Sequence, residues 1–528
     1  MREGERLEGF VSYPPELVER YRAAGLWEGR SLWDAFSERF RAQAARTALI
    51  AEQERLSYGE LLSRAESLAA GLAGLGVGRL DRVVVQLPNL PEFVVLHFAL
   101  QRLGAIPIMA LPAHRETEIG HFVRLGGARL YVGADAALAE TVRSRTPELE
   151  RVLLLEDLRR LHGDASALPA VSIDPLDPAV FLLSGGTTGL PKLIPRTHED
   201  YWYNSMASGA INGIEPDSRL LVVLPLGHNF PLACPGLQGF LQRGASVVLS
   251  TTTQPEPNLA RIERERITHL ELVPALLIRW LDHPALARHD LSSIRVVNTG
   301  GHRLQPEVKR RCERMLPGCT VQEVFGMAEG LLCYVRLDDP DEVRHETAGR
   351  PVSEADELLV VDEEGRPVAP GEVGELLVRG PYTIRGYFRA EEHNASAFTP
   401  DGYYRTGDLV RIHPSGAVVV EGRKKDLINR AGEKISAEEV ENLILGHPAV
   451  LDVACVPVPD PVLGERMCAC VVLRPGATLT LEELVDFLSR KGIARFKLPE
   501  RLETMDEFPT TRVGKVSKQA LAARLREG

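Results

Sequence analysis

Through the first 300 or so residues, segments with apolar side chains at helical spacing repeatedly give way to short apolar runs, and this alternation is what most restricts the fold. From Tyr58 to Leu75, residues Leu61, Leu62, Ala65, Leu68, Ala69, Leu72 and Leu75 fall on one helical face, and a run from Arg82 to Leu87 follows. A second helical stretch, Pro91 to Leu103, leads into Ile106 to Leu111. Further runs lie at Ala179 to Leu183, Arg219 to Leu226, Ser246 to Leu249 and Ile294 to Val297. Strands alternating with helices predict parallel sheets with helices on their faces, an α/β fold.

The texture changes near residue 355. Short β-like pieces such as Glu357 to Val361 and Glu375 to Val378 are separated by Gly and Pro turns, which predicts a β-rich subdomain at about 355–422. After Gly422 comes Arg-Lys-Lys-Asp, and the remaining chain has its own order: helix Ala437 to His447, strands Val450 to Val456 and Met467 to Leu473, helix Leu481 to Lys491. A chain of 528 residues exceeds one ordinary domain. The expected division is a body of two parallel-type α/β sheets plus the β-rich subdomain at 1–422, and a small hinged α+β domain at 423–528.

Composition removes several classes of function. At 44% hydrophobic and 26% charged residues, with no repeat, neither disorder nor a solenoid is expected. A net charge of −11 disfavours a nucleic-acid partner, which needs a basic face to displace counterions. The seven cysteines (234, 312, 319, 333, 455, 468 and 470) lack paired CxxC spacing and are odd in number, so reduced thiols are the simpler reading. Met1 is followed by Arg-Glu-Gly-Glu-Arg without an apolar core, and the longest apolar stretch, Pro91 to Pro112, contains Gln101, Arg102 and Gly104. Neither a secretory leader nor a membrane span is expected, and the location is expected to be cytoplasmic.

Five segments carry chemistry. Ser184-Gly-Gly-Thr-Thr-Gly-Leu-Pro-Lys192 follows the run ending at Leu183. Gly185, Gly186 and Gly189 let backbone amides approach an anion, Ser184, Thr187 and Thr188 add hydroxyl donors, and Lys192 neutralises phosphate charge. It lacks the Gly-Lys-Ser/Thr of a Walker loop, and taken alone it reads more readily as an ordinary Gly-rich turn. Gly326-Met-Ala-Glu-Gly330 follows the apolar run Val321 to Phe325 and offers Glu329 as a carboxylate for Mg²⁺ beside phosphates. Tyr404-Arg-Thr-Gly-Asp408 offers a carboxylate for ribose hydroxyls, or merely an Asp-capped turn. The other two are Gly422-Arg-Lys-Lys-Asp-Leu-Ile-Asn-Arg-Ala-Gly432 and Pro509-Thr-Thr-Arg-Val-Gly-Lys515.

In order, spacing and wording these five segments resemble the adenylate-forming superfamily of acyl- and aryl-CoA ligases, luciferases and nonribosomal peptide adenylation domains. The resemblance is narrower to the stand-alone aryl acid–AMP ligases of siderophore biosynthesis, which act on salicylate or 2,3-dihydroxybenzoate. It is carried by Val83-Val-Val-Gln-Leu-Pro-Asn89, Leu193-Ile-Pro-Arg-Thr-His198, His228-Asn-Phe-Pro-Leu232, Phe325-Gly-Met-Ala-Glu-Gly330, Gly380-Pro-Tyr-Thr-Ile-Arg-Gly-Tyr387 and Val513-Gly-Lys-Val-Ser-Lys518. Ala328 stands where the wider superfamily usually has threonine, and the aryl acid branch shares that alanine.

The resemblance implies that Lys515, Glu329 and His228 are catalytic, with Lys515 bridging the attacking carboxylate and the α-phosphate. It places Mg²⁺ at Glu329 and Thr188, and the β and γ phosphates on the 184–192 loop. ATP would further meet Gly300, Gly301, Val324 and Phe325 as walls of the adenine slot and Asp408 at the ribose, with Gly326, Met327, Ala328 and Arg423 also among its binding residues. Lys425 matches the family hinge, about which the C-terminal domain swings after adenylation. Gly432 matches the glycine that lets a pantetheine arm pass. The implied acceptor is phosphopantetheine on a separate aryl carrier protein, or free coenzyme A.

Acid selection is implied at Asn229, Phe230, Cys234, Gly301 and Leu332. Amino-acid-activating relatives usually carry Asp where Asn229 stands, so a neutral amide favours an ortho-hydroxyl acid over an amino acid. The 2,3-dihydroxybenzoate enzymes carry Ser and Val where this chain has Cys234 and Leu332, and both changes remove support for a 3-hydroxyl. Salicylate is therefore the favoured acid, with 2,3-dihydroxybenzoate open and neutral core substitution a competing explanation. Phe230 stands where Tyr is common. An aryl-CoA ligase would share every nucleotide motif, and a regulator that has lost catalysis is opposed by the retention of Lys515 and Glu329.

Overall fold

Ser57 sets where the first long helix begins. Its hydroxyl accepts from the Glu60 amide at 3.2 Å while the Glu60 carboxylate accepts from the Ser57 amide at 2.8 Å, so two of the helix's orphan donors are satisfied reciprocally. The helix Tyr58–Gly74 buries Leu61, Leu62, Ala65, Leu68, Ala69 and Leu72, the predicted face. Pro91 opens the next helix, Pro91–Leu103, and Gly104 closes it at φ 64°, a left-handed position that suits glycine. The strands Arg82–Gln86 and Ile106–Met109 follow these two helices and pair in parallel.

The structure is a computed structural model that describes residues 6–168, 170–184, 190–301, 303–430, 433–460, 462–510 and 516–527. Among the described residues the strands form four sheets. A six-stranded sheet runs in the order Arg151–Leu154, Leu130–Gly133, Arg82–Gln86, Ile106–Met109, Pro178–Leu183 and Leu193–Thr197. A nine-stranded sheet runs Arg350–Pro351, Leu332–Tyr334, Thr320–Gly326, Val296–Gly300, His269–Leu272, Arg219–Val222, Ser246–Leu249, Thr47–Ile50 and Arg55–Ser57. The predicted parallel pairing holds in the centre of both. The edges differ, because Leu193–Thr197, Leu332–Tyr334, Arg350–Pro351 and Arg55–Ser57 join antiparallel. Short connections such as the one between Leu183 and Leu193 leave no room for a crossover helix and fold back as hairpins.

One core joins the two large sheets, with Val83 and Val85 from one and Leu49, Val222 and Val247 from the other, and Phe36, Leu68, Phe98 and Phe240 from helices between them. The strands Glu357–Val361, Gly374–Arg379, Tyr404–Ile412 and Val418–Arg423 form an antiparallel sheet. A separate C-terminal domain follows, with a five-stranded sheet and two cores of its own, one around Ile428, Val440 and Leu488 and one around Val456, Cys468 and Leu521. It touches the body where Gln305 donates to Asn442 and Ser436 donates to the Glu421 carbonyl. All seven cysteines are buried and free. Among the described residues no helix is long and apolar enough to cross a membrane.

Candidate active site

The site takes shape at the carboxyl ends of the central parallel strands of the nine-stranded sheet, the edge where open α/β sheets bind ligands. Gly300 and Val324 are register partners there, and a Cβ on Gly300 would lie 2.5 Å from Val324 Cγ1, so only glycine fits. Gly301 follows at φ 90°. The strand ending at Gly326 turns through 327–331, where the Met327 amide bonds the Leu331 carbonyl at 3.1 Å, and returns antiparallel through Leu332. The turn is clamped from outside: the Ile384 amide donates to the Glu329 carbonyl at 2.8 Å, and a Cβ on Gly330 would sit 2.6 Å from Thr383 Cα.

Tyr387 gathers several of the residues expected to meet the nucleotide. Its hydroxyl donates to Glu329 Oε1 at 2.8 Å and lies 3.0 Å from the Tyr404 hydroxyl, while Lys192 Nζ stands 5.7 Å from its ring centroid. Burial, and then the Glu329 carboxylate, pushes the Tyr387 hydroxyl far above its ordinary range and keeps it a proton donor. Lys192 is tied back across the loop, its amide on Ser184 Oγ at 2.9 Å and its carbonyl on the Ser184 amide at 3.0 Å. Tyr404 begins the strand that carries Asp408, and buried Asp408 pairs with Arg423 Nε at 2.7 Å. Burial works against the charge on Arg423, but Asp408, Asp426 and Glu329 outweigh it and hold its pKa above the ordinary value.

Ser184, Lys192, Glu329, Asp408 and Arg423, singled out separately in the sequence, are thus linked by one chain of contacts through Tyr387 and Tyr404. Gly185, Gly186, Thr187, Thr188, Gly189, Gly432 and Lys515, with the side chain of Lys425, lie outside the described residues. His228 caps the short helix Asn229–Ala233, its Nδ1 accepting from the Phe230 amide at 3.2 Å. Tyr387 occupies Glu329 Oε1, and among the described residues no cluster of three or more His, Cys, Asp or Glu could hold a metal. A lone hard carboxylate oxygen suits Mg²⁺ that arrives on nucleotide phosphates, and the residues present fit that ion better than a metal caged by protein alone.

The residues expected to select the acid also meet. Phe230, Cys234, Val324 and Leu332 share one buried cluster with Tyr203, Tyr334 and Tyr382. Asn229 is buried, and its Oδ1 accepts from the Tyr201 hydroxyl at 2.9 Å, which leaves the NH₂ as the end of the amide that can still donate. Asn204 Nδ2 reaches the Ala233 carbonyl at 2.6 Å and Cys234 Sγ at 3.8 Å, and Tyr334 donates to the Cys234 carbonyl. Burial pushes the Cys234 thiol up to about 12, so it is a neutral wall and no nucleophile. Beneath it Glu271 accepts from the Gly236 amide at 3.0 Å, and burial raises its carboxyl well above the ordinary range.

Sequence reasoning missed Tyr201, Asn204, Glu271, Tyr387 and Tyr404. Tyr387 ends a segment quoted for its resemblance, yet nothing in one sequence assigns it to Glu329. Asn204 lies four residues beyond Asp200 and eight beyond Arg196, a spacing that could have marked one helical face.

Comparison with known proteins follows the same outline. The AMP-binding enzyme family matches residues 36–388, and its C-terminal domain family matches residues 439–515. The chain is 50% identical to a salicylyl-CoA synthase / salicylate adenylyltransferase from a Streptomyces species, over 97% of each chain. It is 47% identical to the 2,3-dihydroxybenzoate-AMP ligase of Bacillus subtilis, over 99% of this chain and 98% of that one. The apo structure of MbtA from Mycobacterium smegmatis superposes with a TM-score of 0.75 at 43% identity, covering 98% of this chain and 99% of that one.

Proposed function

Since this chain belongs to the AMP-binding enzyme family and is a ligase, we propose that it activates a 2-hydroxyaryl acid, salicylate first, with ATP and passes the aryl group to a pantetheine thiol in the cytoplasm. The observation that carries the reading is the joining of two groups of residues by one turn: Glu329, with Tyr387 and Lys192 against it, sits in the turn 327–331, and the strands on either side of that turn contribute Val324 and Leu332 to the cluster of Phe230 and Cys234.

A carboxylate cannot acylate a thiol directly because its leaving group would be oxide. In the first step an aryl carboxylate oxygen bonds to the α-phosphorus, the bond from that phosphorus to the bridging oxygen breaks, and pyrophosphate leaves with the electron pair. Two anions must be brought together for this. Lys515 is assigned to span the carboxylate and α-phosphate, the 184–192 loop with Lys192 to hold the β and γ phosphates, and Asp408 with Arg423 the ribose. Mg²⁺, when bound with Glu329 and Thr188, would neutralise phosphate oxygens. Tyr387 keeps Glu329 oriented for that duty. Asn229, donating through its NH₂, suits an ortho-hydroxyl oxygen whose own proton is directed to the neighbouring carboxylate.

In the second step the thiol attacks the mixed anhydride, AMP leaves with the bonding pair, and the thiol proton is lost. Residues 423–528 form the domain assigned to move between the steps about Lys425, with Gly432 lining the thiol's path. The acceptor proposed is phosphopantetheine on an aryl carrier protein. Coenzyme A is the second reading, favoured by the name of the Streptomyces relative. Pyrophosphate exchange into ATP, run in parallel with salicylate, 2,3-dihydroxybenzoate, benzoate and 3-hydroxypicolinate, tests the first step. Exchange driven best by salicylate is the expected result, and no exchange with any aryl acid would refute the reading. Transfer to carrier protein against coenzyme A decides the acceptor.

A further inference from the structure

The helix His198–Ala210 carries Asp200, Asn204 and Ser208 four residues apart, a polar stripe of the kind that normally faces water, yet all three are fully buried. Arg196, just before the helix, is also fully buried. Desolvating a guanidinium is costly unless it is paired and hydrogen-bonded, and an ion pair of this sort can often be replaced by apolar residues without loss of stability. Arg196 does more than pair. Its Nε donates to Asp200 Oδ1 at 2.8 Å, Nη1 to the Ala328 carbonyl at 3.1 Å and Nη2 to Asn204 Oδ1 at 3.2 Å, while Cζ lies 4.9 Å from the Tyr201 ring centroid.

Three of these contacts, to Tyr201, Asn204 and Ala328, lead to residues of the site. Tyr201 orients Asn229, Asn204 holds the Ala233 carbonyl and Cys234 Sγ, and Ala328 precedes Glu329 in the clamped turn. Thr197 fixes the far side of the network, its amide and hydroxyl donating to Asp200 Oδ2 at 2.8 and 3.0 Å. The rigid planar fork of arginine can serve these acceptors together, whereas lysine offers a single point charge. We propose that Arg196 is a positioning residue shared by both half-sites, holding the acid-binding residues and the Glu329 turn as one unit so that aryl acid and ATP each strengthen the other's binding. The proposal rests on the aryl-acid reading above.

Calorimetric titration tests it without catalysis, with salicylate and the non-reactive analogue α,β-methylene-ATP as probes, each alone and in the presence of the other. In the unmodified chain each probe should lower the Kd of the other by the same factor, ~5-fold or more, since coupling is reciprocal. Arg196→Lys keeps a cation for Asp200 but loses the fork, and its factor should fall towards one. Should that variant not fold, Asn204→Ala cuts only the Cys234 branch: salicylate should weaken, the analogue's own Kd should stay, and the factor should shrink. Interdependence absent from the unmodified chain, or undiminished in whichever variant folds, overturns the proposal alone. Binding of the analogue with no aryl acid bound at all overturns the aryl-acid reading and this proposal with it.

Discussion

The hydroxyl of Tyr387 donates to Oε1 of Glu329 at 2.8 Å, joining two segments 58 residues apart. Because the ring also carries Lys192 on its face, Tyr387→Phe removes the hydroxyl and keeps the cation's seat. A hydrogen bond to a charged group contributes about 1.5–3 kcal/mol, so kcat/KM for ATP should drop by ~10- to 100-fold. The KM for the aryl acid should hardly move. Kinetics at several Mg²⁺ concentrations provide the check, and a variant with unaltered ATP kinetics would mean that Glu329 needs no such support.

Tyr201 fixes the sense of the Asn229 amide by donating to its Oδ1 at 2.9 Å. The NH₂ end is then the one proposed for the acid, and it can donate to a phenolic oxygen but finds a poor acceptor in an aromatic amine. Tyr201→Phe frees the amide to turn over. Selectivity for salicylate over anthranilate should fall by ~2- to 10-fold, the worth of one ordinary net hydrogen bond. Competing-substrate exchange measures that ratio, and retention of full selectivity would remove Asn229 from acid recognition.

How far these features could be read in one dimension depends on whether local chemistry determines them. The helix Pro91–Leu103 has the predicted ends because Pro91 and Gly104 each act on the backbone where they stand. The segments around Ser184, Glu329 and Asp408 stood out by residue type, but each alone also reads as an ordinary turn, and only their order and spacing together pointed to the family that the comparisons show. Strand direction was not legible at Leu193–Thr197, where the apolar run is the same for either sense of pairing. Arg196, Asp200 and Asn204 were opaque for a deeper reason. Polar residues one turn apart imply a solvated face, and only the enclosing elements, which bring in Ala328 and Cys234, reverse that inference.

Cys234 and Leu332 lie in one cluster with Val324 and Phe230, so a change at either alters the same pocket. Cys234→Ser with Leu332→Val opens a methylene's volume and supplies a hydroxyl. One methylene discriminates by about 1–3 kcal/mol, and the double variant should raise kcat/KM for 2,3-dihydroxybenzoate relative to salicylate by ~10-fold or more. If the two acids keep their original ranking and ratio, these positions are core filling and do not select the substrate.

Asp356 is half-buried beside Tyr382, whose hydroxyl donates to Oδ2 at 2.5 Å, while the enclosed Oδ1 has no partner among the described residues. Burial pushes this carboxyl up to about 7 from an ordinary 3.8. Below about pH 4 both folded and unfolded chains are protonated there. Between that pH and about 7 the folded chain retains a proton that the unfolded chain has released, so stability is lost as pH rises through the window and levels off above it. Asp356→Asn can still accept from Tyr382 and does not titrate. Its Tm should decline less than that of the unmodified chain between pH 5 and 8, by ~2 °C or more. Parallel melting curves would contradict the assignment.

Lys515 tests whether the two half-reactions use different faces of the C-terminal domain. Its segment, Pro509-Thr-Thr-Arg-Val-Gly-Lys515, precedes Lys518, which pairs with Glu441 at 2.6 Å within that domain. If Lys515 supplies charge only while the carboxylate attacks phosphorus, Lys515→Ala should depress pyrophosphate exchange by ~100-fold or more, the usual cost of losing one preorganised electrostatic contact. Transfer from preformed aryl-AMP to the carrier thiol builds no charge at the α-phosphorus and should stay largely intact. Gly432→Leu should show the opposite pattern, blocking a pantetheine arm while sparing exchange. Equal loss of both half-reactions in the lysine variant would mean that one fixed arrangement serves both steps, and the hinge assigned to Lys425 would have no function to perform.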